Sequence, residues 1–338
     1  MKLRNIIAGG IIILAAAGCA KERYQSSNDQ AKLYLESWLK LNHPDAKKTD
    51  LGTYVLDETP GTGAAYNGED YVMVNYTIRS IDGTISTTTS EKTAQQLGTY
   101  LVSNYYGPRV WYAGEDKLSV GVMDMLEGMK IGGKKTTLIP SWLMTNERKK
   151  NKEDYFKETV KDATSLIYEV TLESISKDIL KTQIEDIEAY NLKNFGKVDS
   201  LVTGFYKITT KEPVDTTAYP VDTTVYINYI GRLLNGVVFD TTEKDTAKKY
   251  GIYNYSKTYE PVKIIWGEKE DEIKMETNGS TSAPIGGFQK LLWNMRRHEA
   301  ASAVFTFGYG YSTSGSGSSI PGYAPLRFDI EITEKPAD

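Results

Sequence analysis

The sequence predicts an α+β protein built from two helix-plus-sheet modules in tandem. Two stretches rich in strand-forming residues, 51–175 and 204–334, each follow a segment with helical periodicity. Landmarks of the first stretch recur in the second, since Tyr76 and Tyr229 lie 153 residues apart and so do Gly83 and Gly236. A nearly constant offset indicates one duplicated module. The length of 338 residues also accommodates two domains of ordinary size.

The chain opens with a secretory signal that ends at Cys19. Lys2 and Arg4 precede an apolar run of about 12 residues, which is too short to cross a bilayer comfortably. The small residues before Cys19 resemble a bacterial lipobox, and this resemblance implies cleavage after residue 18 and acylation of the Cys19 thiol. We therefore expect a signal peptide over 1–18 and a protein anchored by lipid to the bacterial cell envelope, on the periplasmic side or the outer-membrane surface.

Composition excludes several classes of function. A net charge of −4 argues against nucleic acid as a partner, because nucleic acid selects basic surfaces. With Cys19 acylated, no cysteine remains for disulfides or Cys–His catalysis. His43 and His298 lack further ligands at metal-binding spacing, and no nucleophile elbow accompanies them. We expect no metal, no cofactor and no Ser–His–Asp triad.

In the first module, a tether and helix are expected over 19–48 and a strand-rich domain over 49–176. Leu33, Trp38 and Leu41 give the helix an apolar face, and Pro44 ends it. The remaining predictions are strands at 71–78, 134–140 and 166–175, a hairpin turn at Asp82-Gly83, a short helix at 119–129, and a charged solvated excursion at 146–162.

The second module repeats this plan. A helix over 176–195 has an apolar stripe, with Gly196 as a natural stop, and lies in an expected linker over 177–203. The domain itself is expected over 204–338. Its predicted elements are strands at 224–231, 304–307 and 326–332 and a helix at 285–295, with 241–260 and 268–283 as insertions.

A set of motifs runs in order through the second module. It comprises Asn228-Tyr229-Ile230-Gly231, Asn235-Gly236, Phe239-Asp240, Pro261-Val262, Pro284-Ile285, Gly287-Phe288, Gly308-Tyr309-Gly310-Tyr311, Ser319-Ile320-Pro321 and Leu326 through Asp329. Taken together, these motifs resemble the FKBP-type peptidyl-prolyl cis-trans isomerases over nearly all of 220–334. The first module resembles the same scaffold more weakly, chiefly through Asn75-Tyr76-Thr77 and Tyr168-Glu169-Val170. The resemblance implies two tandem FKBP-like domains, each an antiparallel β-sheet curled around a short α-helix.

The resemblance also implies a role for particular residues of the second module. Phe288 would form the floor of an apolar pocket. Its walls would be Tyr229, Phe239, Val262, Ile285, Ile320 and Phe328. The Ile285 backbone N–H and the Tyr311 hydroxyl would donate to peptide carbonyls, and Asp240 would orient polar groups at the edge. Taken alone, each aromatic residue fits an ordinary core position better than a pocket role, whereas the ordered set as a whole favours the pocket.

Both modules depart from the family pattern. In the second, Phe288 replaces the usual Trp, Pro284 and Ser319 replace aliphatic rim residues, and Val262 replaces a common aromatic. The first departs further, since Ser86-Thr87 stands at the Phe–Asp position, Val122 at the floor, Thr145 at the hydroxyl position and Arg109 at a wall. Only Tyr76, Val120 and Tyr168 remain there. We expect the first pocket to be shallow or absent and its domain to be inactive.

The sequence thus predicts a prolyl isomerase and folding helper whose partners are proline-containing polypeptides and, through the anchor, a membrane. One alternative is a non-catalytic peptide-binding chaperone or envelope scaffold on the same fold. Another is a polysaccharide or nutrient-capture lipoprotein, suggested by 24 tyrosines. Most of these tyrosines fall in strand patterns, where β propensity explains them.

Overall fold

The structure is a computed structural model that describes residues 27–114, 116–160, 163–277 and 279–335. The predicted signal peptide and Cys19 lie outside the described residues. Seven α-helices lie within them: α1 (Ser27–Asn42), α2 (Glu91–Gln96), α3 (Val120–Leu126), α4 (Lys152–Lys157), α5 (Ile179–Phe195), α6 (Lys244–Lys249) and α7 (Gly286–Trp293). Among the described residues, no helix combines the length and the apolar character that a membrane span needs.

The strands of the described residues fall into two antiparallel sheets. The first contains β1 (Lys47–Lys48), β2 (Tyr54–Thr59), β3 (Tyr71–Ser80), β4 (Ile85–Thr88), β5 (Arg109–Tyr112), β6 (Lys134–Ile139) and β7 (Leu166–Ser176). The second contains β8 (Ser200–Val202), β9 (Phe205–Lys211), β10 (Thr224–Leu233), β11 (Val238–Thr241), β12 (Val262–Ile265), β13 (Lys274–Thr277), β14 (Ser280–Ser282), β15 (Ala300–Phe305) and β16 (Leu326–Thr333). The predicted α+β class with antiparallel sheets is confirmed.

The two sheets have the same strand order. The first runs β2-β6-β7-β3, with β4 and β5 both paired to β3. The second runs β9-β15-β16-β10, with β11 and β12 both paired to β10. The strands therefore correspond one to one along the chain, and β13 and β14 extend only the second sheet.

The short helix of each module packs on its sheet in the same way. Gly121 is the second residue of α3 and Gly287 is the second residue of α7. A Cβ atom on Gly121 would lie 2.3 Å from Ile139 at the end of β6, and one on Gly287 would lie 2.5 Å from the ring of Phe305 at the end of β15. Because both contacts are shorter than any real Cβ approach, each helix needs glycine there to lie close to its sheet.

Two large clusters of buried side chains form the cores. One lies between α3 and the first sheet and is centred on Leu126, Val170 and Leu172. The other lies between α7 and the second sheet and is centred on Leu291, Leu292 and Phe305. The helices α1 and α5 each cover a smaller cluster of their own, with Leu35 and Ile187 fully buried. At a typical 1.5–3 kcal/mol per buried apolar side chain, these clusters are the main stabilising feature of both modules.

Three sequence predictions need correction. The stretch 146–162 is not simply solvated, because α4 lies within it and Tyr155 is buried against the first core. The strand expected at 304–307 occurs earlier, at Ala300–Phe305, since Phe307 begins a short 3-10 helix. The stretches expected as insertions hold regular structure, with α6 in 241–260 and the β13–β14 hairpin across most of 268–283.

The two modules touch each other through loops and through α5. The Tyr105 N–H, in the loop between α2 and β5, donates to the Ser318 carbonyl of the second module at 2.8 Å. The rings of Tyr71 and Tyr323 meet edge to face with centroids 5.7 Å apart. The Gln183 amide of α5 donates to the Tyr323 carbonyl at 2.5 Å. These contacts place the first module beside the 306–325 loop of the second.

Candidate active site

The predicted site residues of the second module come from four strands, one helix and one loop. Tyr229 lies on β10, Phe239 and Asp240 on β11, Val262 on β12 and Phe328 on β16. Ile285 immediately precedes α7 and Phe288 lies in its first turn. Tyr311 and Ile320 lie on the loop that joins β15 to β16, which we call the 306–325 loop. The fold therefore brings residues separated by almost 100 positions to one end of the sheet.

Four aromatic rings form the centre of this group. Phe288 meets Tyr229 at a centroid distance of 5.4 Å and Phe328 at 5.2 Å, both at nearly right angles. Phe239 lies against the other edge of Phe328, with centroids 5.6 Å apart. Edge-to-face contacts at these distances favour a fixed arrangement of rings. The four rings thus hold one another in place without any ligand.

The space for Phe239 depends on Gly231. This glycine pairs with Asp240 on one side and with Phe328 on the other. A Cβ atom placed on it would lie 2.6 Å from the Phe239 ring and 2.8 Å from the Phe328 ring. No side chain fits in that gap, so the ring pair exists only because residue 231 has none.

Asp240 is the polar centre at the edge of the rings. One of its oxygens accepts from the Tyr229 hydroxyl at 2.6 Å, and the other accepts from the Thr241 N–H at 2.9 Å and pairs with Lys257. Burial raises the pKa of Tyr229, and the neighbouring Asp240 charge raises it further. Burial and the same carboxylate also raise the pKa of Tyr311. Both hydroxyls therefore stay protonated as donors well into the alkaline range.

The start of α7 supplies the backbone part of the group. Ile285 has extended geometry, with φ −61° and ψ 152°, and its carbonyl accepts from the Phe288 and Gln289 N–H groups. The backbone N–H of Ile285 itself therefore lies just before the first residue of α7. This is the position that the resemblance implies for a donor to a bound peptide. Pro284 and Ile285 are both half-buried, as are Val262 and Phe239.

A cavity of about 1000 Å³ opens beside this group. Its wall includes Tyr229, Asp240 and Val262 from the predicted set, together with Lys257, Pro261 and Met275. The predicted floor residue Phe288 is nearly closed off from solvent, with an exposed fraction of 3%, and so are the predicted wall residues Phe328 and Ile320, at 4% each. The open space thus meets the predicted set on its Tyr229 and Asp240 side, whereas the floor belongs to the core.

Sequence reasoning missed two residues of this group. Lys257 pairs with Asp240 and lies at the cavity wall, although it comes from the stretch interpreted as an insertion. Gly231 is part of the recognised motif, but its steric role depends on which strands pair beside it. For Lys257 the sequence carries no signal beyond one lysine in a polar stretch.

The first module has a different set of residues at the corresponding positions. Ile78 stands where Gly231 does, because it pairs with Thr87 and Tyr168 as Gly231 pairs with Asp240 and Phe328. Val122 occupies the helix position of Phe288 and is buried. The rings of Tyr76 and Tyr168 both contact Trp111, at 5.0 Å and 6.5 Å. Sequence reasoning did not single out Trp111.

Two other first-module positions also lack a pocket role. The Arg109 guanidinium lies over the Tyr105 ring, 5.8 Å from its centre. The Thr145 carbonyl accepts from the Val120 N–H and so supports the start of α3. A cavity of about 1090 Å³ does exist in this module. It is lined by Tyr66, Met123 and Asp124 and includes Val120, but neither Tyr76 nor Tyr168. In the described residues no group of three or more His, Cys, Asp or Glu is placed to hold a metal ion.

Comparison with known families identifies the second module. Residues 216–333 match the family model for FKBP-type peptidyl-prolyl cis-trans isomerase. The match covers β10 through β16 and every predicted pocket residue, so this part of the chain is similar to the FKBP-type isomerases. No curated protein matches the chain.

Solved structures are similar to this chain at low sequence identity. The three FKBP domains of wheat FKBP73 are 16% identical with a TM-score of 0.29, over 85% of this chain and 97% of that one. A peptidyl-prolyl cis-trans isomerase from Pseudomonas syringae pv. tomato is 19% identical with a TM-score of 0.31, over 46% and 93%. FkpA from Escherichia coli is 22% identical with a TM-score of 0.30, over 44% and 58%.

Proposed function

We propose that this protein is a peptidyl-prolyl cis-trans isomerase whose catalytic site is the aromatic group of the second module. The observation that carries the proposal is the set of four mutually packed rings beside the Tyr229–Asp240 hydrogen bond, inside the segment that matches the isomerase family. Similarity to that family supports isomerase activity.

The chemistry suits a site without a nucleophile. Rotation about an X–Pro bond faces a barrier of about 18–20 kcal/mol because twisting destroys amide resonance. The twisted amide is less polar than the planar one, so a dry apolar surface with a few fixed donors favours the transition state over the ground state. A thousandfold acceleration requires only about 4 kcal/mol of such preference.

Each residue of the group has a place in this mechanism. The half-buried Phe239 and Val262 would contact the proline ring, and Phe288 and Phe328 would fix the position of Phe239 from below. The Ile285 N–H and the Tyr311 hydroxyl would donate to carbonyls on either side of the rotating bond. Asp240 would hold the Tyr229 hydroxyl and, through Lys257, the edge of the cavity.

The test is a proline-peptide isomerisation assay on the full chain without its signal segment. We expect catalysis well above the uncatalysed rate and a loss of most of it in Phe239→Ala. The matched control is Trp111→Ala in the first module, which should keep the rate. A wild-type rate at background, or a rate unaffected by Phe239→Ala, would reject catalysis at this site.

A second candidate is a non-catalytic peptide-binding chaperone or scaffold. It is favoured by the near-complete burial of the Phe288 and Phe328 rings, combined with a large open cavity on the Tyr229 side. Such a protein would bind unfolded chains at the cavity without turning the X–Pro bond. It would be supported if client binding survived Phe239→Ala but failed after substitutions at Lys257 and Met275 on the cavity wall.

We also propose the location and domain layout given by the sequence. The protein would be lipid-anchored at Cys19 in a bacterial cell envelope, and its clients would be proline-containing polypeptides. The domains would span 49–176 and 204–338, joined by a linker over 177–203. Mass spectrometry of the native N-terminus tests the anchor, since an unmodified Cys19 or an uncleaved signal segment would contradict it. Limited proteolysis tests the domain bounds.

A further inference from the structure

The 306–325 loop of the candidate site is held by its own backbone hydrogen bonds and also by residues outside the family-matching segment. It carries Tyr311 near one end and Ile320 near the other. At its neck, the Tyr323 N–H donates to the Ser312 carbonyl at 3.0 Å, and both residues have positive φ values of 60° and 57°. Non-glycine residues adopt that conformation at a cost of about 1–2 kcal/mol each. Ser312 and Tyr323 keep this strained backbone conformation where contacts with surrounding residues stabilise it.

Gln183 of α5 supplies contacts at the base of the loop. Its amide nitrogen donates to the Tyr323 carbonyl at 2.5 Å, and its amide oxygen accepts from the Phe307 N–H at 3.2 Å. The side chain is buried, so both bonds are shielded from water. A single residue that precedes the family-matching segment thus ties together the two ends of the loop.

The first module supplies contacts at the tip of the loop. The Tyr105 N–H donates to the Ser318 carbonyl at 2.8 Å, and the Ser318 hydroxyl donates to the Asn104 side-chain oxygen at 2.6 Å. The Tyr105 ring packs against the core cluster of the second module. Its hydroxyl is turned back onto its own loop, where it donates to the Pro108 carbonyl at 2.9 Å.

The same loop of the first module also reaches the opposite flank of the site. A Cβ atom on Gly251 would lie 3.1 Å from a methyl carbon of Val102, which places Val102 directly against Gly251. Gly251 belongs to the stretch between Asp240 and Lys257, which supplies the cavity wall. Residues 102–105 therefore touch both the segment that follows Asp240 and the segment that carries Tyr311 and Ile320.

We infer that Asn104 and Tyr105 of the first module, with Gln183 of α5, are positioning residues for the isomerase site of the second. They fix the 306–325 loop so that Tyr311 and Ile320 are held where a bound peptide meets them. This role rests on the proposed function. It gives the first module a task in catalysis that does not require the aromatic pocket residues it lacks.

The test uses the full chain and compares steady-state kinetics of variants. Because Tyr311 and Ile320 would contact substrate in the ground state, Asn104→Ala with Tyr105→Ala should raise KM about fivefold. The first change removes the hydrogen bond from the Ser318 hydroxyl, and the second removes the Tyr105 ring from the core of the second module, although the backbone bond from Tyr105 to Ser318 remains. The value of kcat should change less than twofold. The single variant Tyr105→Phe should keep the wild-type KM, because the Tyr105 hydroxyl donates to the Pro108 carbonyl within its own loop. Leu101→Ala is the matched control, because that side chain is 58% exposed in the same loop.

A second measurement keeps the inference independent of catalysis. Hydrogen–deuterium exchange over 312–319 should accelerate in the double variant and in Gln183→Ala, with the strands β10 and β16 unchanged. Faster exchange together with unchanged KM would show a merely structural contact and overturn the positioning role. Unchanged exchange would overturn the inference as well. If the wild-type chain lacks activity, the proposed function fails first, and the exchange result still reports whether the loop is held.

Discussion

The two sheets have one strand order but fill the end of the sheet differently. In the second, residue 231 is glycine and its gap is filled by the rings of Phe239 and Phe328. In the first, Ile78 occupies that register position, and the strand that would carry the ring has Ser86 and Thr87. The comparison teaches that a pocket of this type needs an empty position on a central strand as much as it needs aromatic residues.

The strongest test of this comparison places the isoleucine of the first sheet at the glycine position of the second. Gly231→Ile should lower kcat/KM about 100-fold, because overpacking of about 1–3 kcal/mol would displace Phe239 from Phe328. The assay is proline-peptide isomerisation, with circular dichroism to confirm that the sheet persists. Ile78→Gly is the matched control and should leave the rate unchanged. A folded Gly231→Ile protein with full activity would contradict the role given to the gap.

The next test of the comparison changes Phe288, the predicted floor residue. Phe288→Val, which copies Val122 of the first module, should lower the free energy of unfolding by about 2–3 kcal/mol and kcat/KM roughly tenfold. The cause is loss of the edge-to-face contacts with Tyr229 and Phe328. Denaturant titration and the isomerisation assay measure the two effects. The reciprocal Val122→Phe change should create no second activity, and a gain of activity there would refute the view of an inactive first module.

Alkaline pH should destabilise the second module through Tyr206 on β9. Burial, together with a hydrogen bond to Glu188 of α5, raises the pKa of Tyr206 to about 12. In the unfolded chain this phenol ionises near pH 10, so its contribution is complete below pH 10 and is lost as pH rises from there to 12. By pH 11, midway through this range, the expected loss is about 1.4 kcal/mol. Denaturant titrations at pH 8 and 11 measure it, and the pH effect should shrink in Tyr206→Phe.

The smallest effect is expected for the polar edge. Tyr229→Phe removes the hydroxyl that donates to Asp240 at 2.6 Å and should lower kcat/KM about fivefold, the equivalent of about 1 kcal/mol. The matched change Tyr76→Phe in the first module should have no effect on the rate. Equal losses from the two substitutions would mean that the second site holds no special polar edge.

Much of the fold could be predicted because its signals are local. Alternating β-branched and aromatic residues gave β3 and β10, and the offset between Tyr76 and Tyr229 gave two copies of one module. The family motifs also gave the set of residues that the structure gathers at the end of the second sheet. The resemblance to FKBP-type isomerases is confirmed for residues 216–333.

The remaining features depend on contacts between distant segments. Nothing in the sequence around Lys257 shows that it pairs with Asp240, and nothing around Tyr105 shows that it meets Ser318. The sequence did not predict the burial of Tyr155, because its neighbours are charged. The packing of α4 on the first core is what buries its side chain. Motif spacing identifies candidate site residues along the sequence. Contacts between loops depend instead on how the two folded modules pack against each other.

The amide bridge of Gln183 has a practical consequence for anyone who trims this chain. A fragment that begins at residue 204 keeps every aromatic ring of the pocket yet leaves behind the partner of both Phe307 and Tyr323. The 306–325 loop of such a fragment would lack two of its hydrogen bonds, so a low isomerisation rate would say little about the intact protein. Fragments for drug screening or crystal soaking should therefore start upstream of Asp178.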